Sequence, residues 1–235
     1  MKTLEAQDFN KIQKVLDVLK QHGVSVPAGA SAKLSTFVES IRKWNRRTQL
    51  VSRNDEDSLV SAHIAECLAP PCVFDFQRLA NLLDFGSGAG LPGIPLAIIF
   101  PDLEVSLLEP KRKKLLFLRF CSEELKLENI SILPYYSKEI PNSDILVYDA
   151  VIARAVAPLE KLWKWSRRFL KNETRLLAMK GGDLSAEIQE CKTCFQSLKL
   201  TIAKYPRELV ALEKDRKLVI INEPGQKQSI HLSDD

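Results

Sequence analysis

The chain has 235 residues, 45% hydrophobic and 27% charged, with a formal net charge of +4 at neutral pH. This is ordinary for a globular protein with one sizeable core and at most a small appended domain. No apolar run approaches the ~20 residues a membrane span needs. The first eight residues carry acids and no apolar stretch of signal-peptide type. The expectation is therefore a cytoplasmic protein with no membrane partner.

Residues 1–78 read as a helical region. Phe9, Ile12, Val15, Leu16 and Leu19 make one apolar stripe, and Leu34, Phe37, Val38, Ile41 and Trp44 make a second, with Ser31 placed to cap its start. A third helix is predicted over 56–68, with Leu59, Val60, Ile64, Cys67 and Leu68 inward, and Pro70-Pro71 ends it. Residues 79–222 then alternate strand and helix, as a parallel sheet requires. Strands are predicted near 80–84, 105–109, 130–133, 149–153 and 174–179, and helices near 95–100, 112–126, 158–170 and 184–197. A last pair, 199–205 and 216–222, reads as antiparallel strands closing the sheet. Residues 223–235 read as a polar, disordered tail. The fold class is thus α/β, a Rossmann-like, mostly parallel sheet with an antiparallel last pair and an N-terminal helical extension.

The richest stretch runs from Leu82 to Pro95, Leu-Leu-Asp-Phe-Gly-Ser-Gly-Ala-Gly-Leu-Pro-Gly-Ile-Pro. An apolar strand ends in an acid and enters a loop with glycine at 86, 88 and 90, where positive φ and a close ligand are tolerated. Gly88, Gly90 and Gly93 also satisfy the dinucleotide spacing, and Glu109 stands about 20 residues on, where a ribose-binding acid belongs. Asp84 tips the balance between the two cofactor classes. An acid just ahead of alternating glycines is the signature of S-adenosylmethionine enzymes, whose loop holds a cationic amino-acid tail rather than a pyrophosphate. Asp84, Gly86, Gly88, Gly90, Leu91 and Glu109 are the candidate cofactor-binding residues.

Five cysteines are present, with Cys191 and Cys194 spaced C-x-x-C. No second pair or nearby histidine completes a zinc site, and the two fall on a helical pattern where both can pack, so no metal is expected. Basic residues cluster without acids at 42–53 (Arg42, Lys43, Arg46, Arg47, Arg53), 111–119 (Lys111, Arg112, Lys113, Lys114, Arg119) and 161–171 (Lys161, Lys164, Arg167, Arg168, Lys171). Three such runs around a cofactor fold point to a polyanionic substrate, because neutralising phosphates supplies most non-specific nucleic-acid affinity. Lys43, Arg46, Arg47, Lys164, Arg167 and Arg168 are the candidate RNA contacts. Trp163 and Trp165 lie in a helical pattern and are expected to pack rather than stack a base.

Taken together, these pieces resemble the bacterial small-subunit ribosomal RNA methyltransferase G family (RsmG, or GidB). The resemblance rests on Lys43-Trp44-Asn45 with Leu50, on His63, on the loop from Asp84 to Leu96, and on Leu107-Leu108-Glu109 with Lys113 to Arg119. It continues through Ile152-Ala153-Arg154-Ala155, Met179-Lys180-Gly181 and Arg216. It implies S-adenosylmethionine as cofactor and methyl transfer to N7 of a guanine in 16S rRNA, by the same resemblance guanine 527. The partner implied is 16S rRNA or the small ribosomal subunit, with a monomeric protein and no obligate protein partner. It further implies that Gly86 and Leu91 contact the cofactor, that Arg154 stands at its pocket, and that Ser137 and Lys138 flank its adenine. The match departs at this last pair: the acid expected there comes one residue later, at Glu139. Gln49 also replaces a common asparagine.

Guanine N7 carries an in-plane lone pair and no proton, so its attack on a methyl group needs alignment rather than a general base. The chain accordingly offers no nucleophile–base constellation, and no catalytic residue is assigned beyond the strand-end candidates Arg154 and Lys180. After the fourth strand it reads Ala153-Arg154-Ala155-Val156-Ala157-Pro158, without the Asp/Asn-Pro-Pro-aromatic tetrad used on exocyclic amines. Three alternatives stand beside this reading: methyl transfer to a small molecule, a nicotinamide-dependent oxidoreductase, and a non-catalytic ribosome-assembly factor that binds S-adenosylmethionine.

Overall fold

The computed structural model describes residues 2–52, 58–140, 145–210 and 215–224. Arg53, the first two residues of the third predicted helix and the tail from Gly225 onward lie outside the described residues. Two long helices come first, α1 (Lys2–Gln21) and α2 (Ala30–Asn45). A π-helical run (Leu59–Ile64) then leads into the short α3 (Ala65–Cys67). The alternating region follows as β1 (Asn81–Phe85), α4 (Gly93–Ile99), β2 (Glu104–Leu108), α5 (Arg112–Glu124) and β3 (Ile130–Leu133). It continues as β4 (Tyr148–Arg154), α6 (Leu159–Ser166), β5 (Leu170–Gly181), α7 (Ser185–Cys194), β6 (Lys199–Lys204) and β7 (Arg216–Asn222).

The seven strands form one sheet in the order β3-β2-β1-β4-β5-β7-β6. β1 to β5 pair in parallel, and β7 runs antiparallel between β5 and β6. The strand order reverses between β1 and β4. That is the switch point where open α/β sheets bind ligands, beyond the carboxyl ends of the strands. Alternate residues of each strand face opposite layers. Leu82, Val105, Leu107, Ile152 and Leu177 pack with α1, α2, α4 and α5, whereas Leu83, Leu108, Val151, Leu176 and Val219 pack with α6 and α7. The N-terminal helices share the first of these cores with the sheet, so they are part of its wall.

Several local expectations are corrected. α2 begins at Ala30, with Gly29 at its N-cap in the left-handed region (φ 79°) and no side-chain cap, so glycine's backbone freedom replaces the predicted Ser31 cap. Phe9 is 42% exposed; Asp8, four residues before Ile12, takes the inward position and pairs with Arg42 of α2. The predicted helix 158–170 stops at Ser166 and ends in a 3-10 turn, Arg167–Phe169. In α6, Trp163 is buried as expected but Trp165 is 42% exposed, because neighbouring helix positions cannot share one face. Likewise Cys191 is buried and Cys194 is exposed.

Candidate functional site at the carboxyl edge of the sheet

β1 ends at Phe85 and the chain turns back on itself through Gly86, Gly88 and Gly90, all at positive φ. The amides of Gly86 and Ser87 both donate to the carbonyl of Leu108, at 3.0 and 3.1 Å, which pins the loop to the end of β2. A Cβ on Gly86 would lie 2.8 Å from a methyl of Val156, so the loop also touches the turn after β4.

Asp84 points beneath this loop. Its Oδ2 accepts the amide of Gly93, the first residue of α4, at 2.9 Å, and its Oδ1 has no hydrogen-bonding partner among the described residues. Gly93 must be glycine here: a Cβ would sit 2.4 Å from Leu107 Cδ2 and 2.6 Å from the Asp84 carboxylate. Burial pushes the Asp84 carboxyl up from its ordinary 3.8 to about 7, against the opposing pull of the Gly93 N–H and the Arg154 guanidinium.

Glu109, just past β2, is also buried. Its Oε2 accepts the Gly88 amide at 3.0 Å and its Oε1 accepts the Lys111 amide at 2.8 Å, while Lys114 Nζ stands 4.0 Å away. One carboxylate thereby joins the glycine loop to the start of α5. Leu91 is buried under the loop. Ser137 and Lys138 belong to a 3-10 turn, Ser137–Glu139, in which Ser137 is half-buried and Lys138 exposed. Glu139 Oε2 accepts the Tyr136 amide at 3.1 Å. The turn is held from below by Arg168, whose guanidinium donates to the carbonyls of Ser137 (3.4 Å) and Ile140 (2.9 Å). Arg168 was expected among the RNA contacts; these two carbonyls turn its guanidinium inward onto that turn.

At the end of β4, Arg154 reaches the residues that precede the sheet. Its Nη1 donates to Cys67 Sγ at 3.1 Å, Nη2 donates to His63 Nδ1, and Nη2 lies 3.6 Å from Glu66 Oε2. Since a guanidinium only donates, the His63 proton resides on Nε2. Glu66 Oε1 in turn lies 3.5 Å from Arg216 Nε. The buried Tyr205 hydroxyl, which has no hydrogen-bonding partner among the described residues, adjoins this cluster. Lys180, at the end of β5, donates to the Ala157 carbonyl at 2.7 Å and pairs with Glu187 at 2.8 Å, and Glu187 also accepts the Leu159 amide that opens α6. Arg154 and Lys180 thus clamp the two ends of the 154–159 turn.

The remaining basic candidates face outward. Lys43, Arg46 and Arg47 at the end of α2 are exposed, with Lys43 over the Phe120 ring, and Lys164 and Arg167 are exposed on α6 and the turn after it. The sequence reading overlooked Glu66, Glu187 and Tyr205. Glu66 carried a usable signal: it is an acid within the inward stripe of Leu59 to Leu68.

A seven-stranded sheet in this order, with an acid-led glycine loop at its switch point, defines a Rossmann-like methyltransferase that uses S-adenosylmethionine. The cofactor fits what is present: the loop tolerates a close ligand, Glu109 presents a buried carboxylate beside it, and Asp84 keeps one carboxylate oxygen unpartnered. The profile of the family rRNA small subunit methyltransferase G (GidB) matches residues 30–219, and the chain belongs to that family. It is similar to the ribosomal RNA small subunit methyltransferase G of Chlorobaculum tepidum, 35% identical over 77% of this chain and 82% of that protein. It is also similar to the ribosomal RNA small subunit methyltransferase G of Staphylococcus aureus, 28% identical over 92% of this chain and 91% of that protein. Among solved structures, the mitomycin 7-O-methyltransferase superposes with a TM-score of 0.54 at 16% identity, covering 81% of this chain and 67% of that one. The Methanococcus jannaschii fibrillarin pre-rRNA processing protein gives 0.50 at 18%, covering 63% and 68%. Those two share the fold.

Proposed function

We propose that this protein transfers a methyl group from S-adenosylmethionine to N7 of one guanine in 16S rRNA, by resemblance guanine 527, in the cytoplasm and as a monomer. The observation that carries the reading is the family match across 30–219, joined to a turn after β4 that reads Ala153-Arg154-Ala155-Val156-Ala157-Pro158 and lacks the Asp/Asn-Pro-Pro-aromatic tetrad used on exocyclic amines. Bound S-adenosylmethionine supplies an electrophilic methyl group on a sulfonium. Everything else asked of the chain is alignment, worth about 7–11 kcal/mol when reacting groups are well oriented.

In this reading the glycine loop from Gly86 to Leu91 seats the methionine part, Asp84 accepts from its ammonium, and Glu109 accepts from the ribose hydroxyls. Ser137 and Lys138 flank the adenine chiefly through backbone groups, because Arg168 fixes that turn through its carbonyls. Arg154 and Lys180 act as positioning residues, holding the 154–159 turn against the loop. Lys43, Arg46, Arg47, Lys164 and Arg167 contact the RNA backbone.

The experiment is transfer of tritium from methyl-labelled S-adenosylmethionine to small ribosomal subunits from cells lacking this protein, followed by mapping of the base. Label recovered as 7-methylguanine at one position is the expected result. Cofactor binding without label on any RNA would overturn it.

A further inference from the structure

A cavity of about 150 Å³ opens between the π-helical run and the segment leading into β7, lined by Ser58, Ser61, Ala62, Glu66, Leu209 and Arg216. Its position relative to the glycine loop follows from contacts already given. Arg154 carries the end of β4 to Glu66, while Val156, two residues on, lies against Gly86. The cavity and the loop are therefore on the two sides of one short turn. Arg216 lies across the end of β5, where a Cβ on Gly181 would stand 2.9 Å from its Cδ. The cavity thus lies at the carboxyl edge of the sheet, the edge at which such folds bind ligands.

Glu66 gives this cavity its chemistry. The residue is only 5% exposed, yet both carboxylate oxygens sit 3.5–3.6 Å from the nearest guanidinium nitrogens. Charge-assisted hydrogen bonds close to about 2.7–2.9 Å. The two arginines thus hold the carboxylate in place on the cavity wall at separations longer than direct hydrogen bonds. Among the four RNA bases, only guanine presents two adjacent donors on its Watson–Crick edge, N1–H and the N2 amine, beside the O6 acceptor. Adenine, cytosine and uracil each turn an acceptor toward one of the carboxylate oxygens. Unstacked bases read by proteins are commonly held along this edge.

Resting on the methyl-transfer reading above, we infer that this cavity is the pocket of the target guanine. The Glu66 carboxylate accepts from N1–H and the N2 amine, and Arg216 donates to O6. Held by that edge, the base keeps N7 free of any donor, which is what a nucleophilic lone pair requires. The inference also gives the N-terminal extension a task, since Glu66 comes from it while the glycine loop comes from the sheet.

The test uses small subunits reconstituted with 16S rRNA carrying guanosine or inosine at the methylated position. Inosine keeps N7, N1–H and O6 and lacks only the N2 amine. The wild-type protein is expected to prefer guanosine by about 10- to 150-fold in kcat/KM, the range for losing one hydrogen bond to a charged group. Glu66→Gln is expected to lower kcat/KM on guanosine subunits at least about tenfold, to erase most of the preference over inosine, and to leave S-adenosylmethionine affinity by calorimetry within about threefold. Equal treatment of the two nucleosides by the wild type, or an undiminished preference in Glu66→Gln, would overturn the inference and leave Glu66 as a joint between two arginines. If Glu66→Gln does not fold, Ala62→Phe narrows the cavity while keeping Glu66, Arg154 and Arg216 in the chain. It should raise KM for subunits at unchanged cofactor affinity, and an unchanged KM overturns the inference. Absence of label on guanosine subunits with the wild type would overturn the methyl-transfer reading itself; labelled guanosine with no discrimination overturns only this step.

Discussion

Replacing Asp84 by asparagine separates what the site costs from what it does. In the cofactor-free fold the carboxyl keeps a shape that asparagine can copy, with one oxygen on the Gly93 amide and the other without a partner. Burial raises its pKa from 3.8 to about 7. A displacement of that size corresponds to roughly 4 kcal/mol of instability when the group is ionised. The sign follows from linkage: the folded state binds the proton more tightly than the unfolded chain. This contribution therefore lowers stability progressively as pH rises from about 4 to about 7, and is fully present above 7. Asp84→Asn removes the dependence, so the variant should gain on the wild type by up to ~4 kcal/mol at pH 8 and by nothing at pH 4. Denaturant midpoints across that pH range measure it. Calorimetry of S-adenosylmethionine binding supplies the second half. An ammonium beside Asp84 favours the ionised carboxylate, so wild-type binding should tighten as pH rises through about 7 and release protons to buffer there. Asp84→Asn should bind more weakly and without that proton release. Parallel stability profiles for the two proteins, or proton release surviving in the variant, would refute this account of the acid.

The other predictions bear on the loop, the clamps and the charged face. Gly86→Asp forces a side chain into a residue at φ +77° with a methyl of Val156 2.8 Å from its Cβ, and should abolish cofactor binding; unchanged affinity by calorimetry would remove this residue from the site. Arg154→Ala leaves Glu66 without one of its two cations in a buried cluster and should lower stability by about 3 kcal/mol in a denaturant melt; a loss near zero would mean the cluster is solvated. Lys180→Met frees the Ala157 carbonyl and the Glu187 carboxylate and should reduce kcat more than cofactor affinity, whereas equal losses would place Lys180 on the cofactor. Reversing the charges of Lys43, Arg46 and Arg47 should weaken RNA retention and reduce the slope of log K against log salt by about 0.7–0.9 per lost phosphate contact; an unaltered slope excludes this face from the interface.

The sheet was legible because both of its signals are local. Short apolar runs mark the central strands, as in Leu82-Leu83 and Val151-Ile152, whose neighbours face two different cores, and the Gly/Pro punctuation between elements fixes their order. Glu109 was legible for a similar reason, since its distance from the glycines along the chain reflects one turn of βαβ structure. What could not be read is long-range pairing among charged residues. Arg168 belonged to a basic run and looked like a phosphate contact, yet two carbonyls nearly thirty residues earlier in the chain take its guanidinium. Glu66 stands as an acid within an otherwise apolar helical stripe, and only the arrival of Arg154 and Arg216 from β4 and β7 supplies the cations that pair with it. Ser31 failed as a cap because the neighbouring Gly29 could adopt a backbone angle closed to serine.

The glycine spacing alone suits a dinucleotide as well as S-adenosylmethionine, and the structure gives a physical reason for preferring the second. In dinucleotide sites the pyrophosphate sits on the N-terminus of the helix that follows the loop, drawn by free amides and the helix dipole. Here the amide that opens α4 is already taken by the Asp84 carboxylate at 2.9 Å, and the acid lies directly beneath the loop. A pyrophosphate would lose that donor and face a carboxylate in a medium of low dielectric, where like charges repel strongly. A cationic amino-acid tail meets the reverse situation, an acceptor oxygen with no other partner. On the proposed reading, the acid that lowers the stability of the fold at neutral pH also selects the charge of the ligand that relieves it.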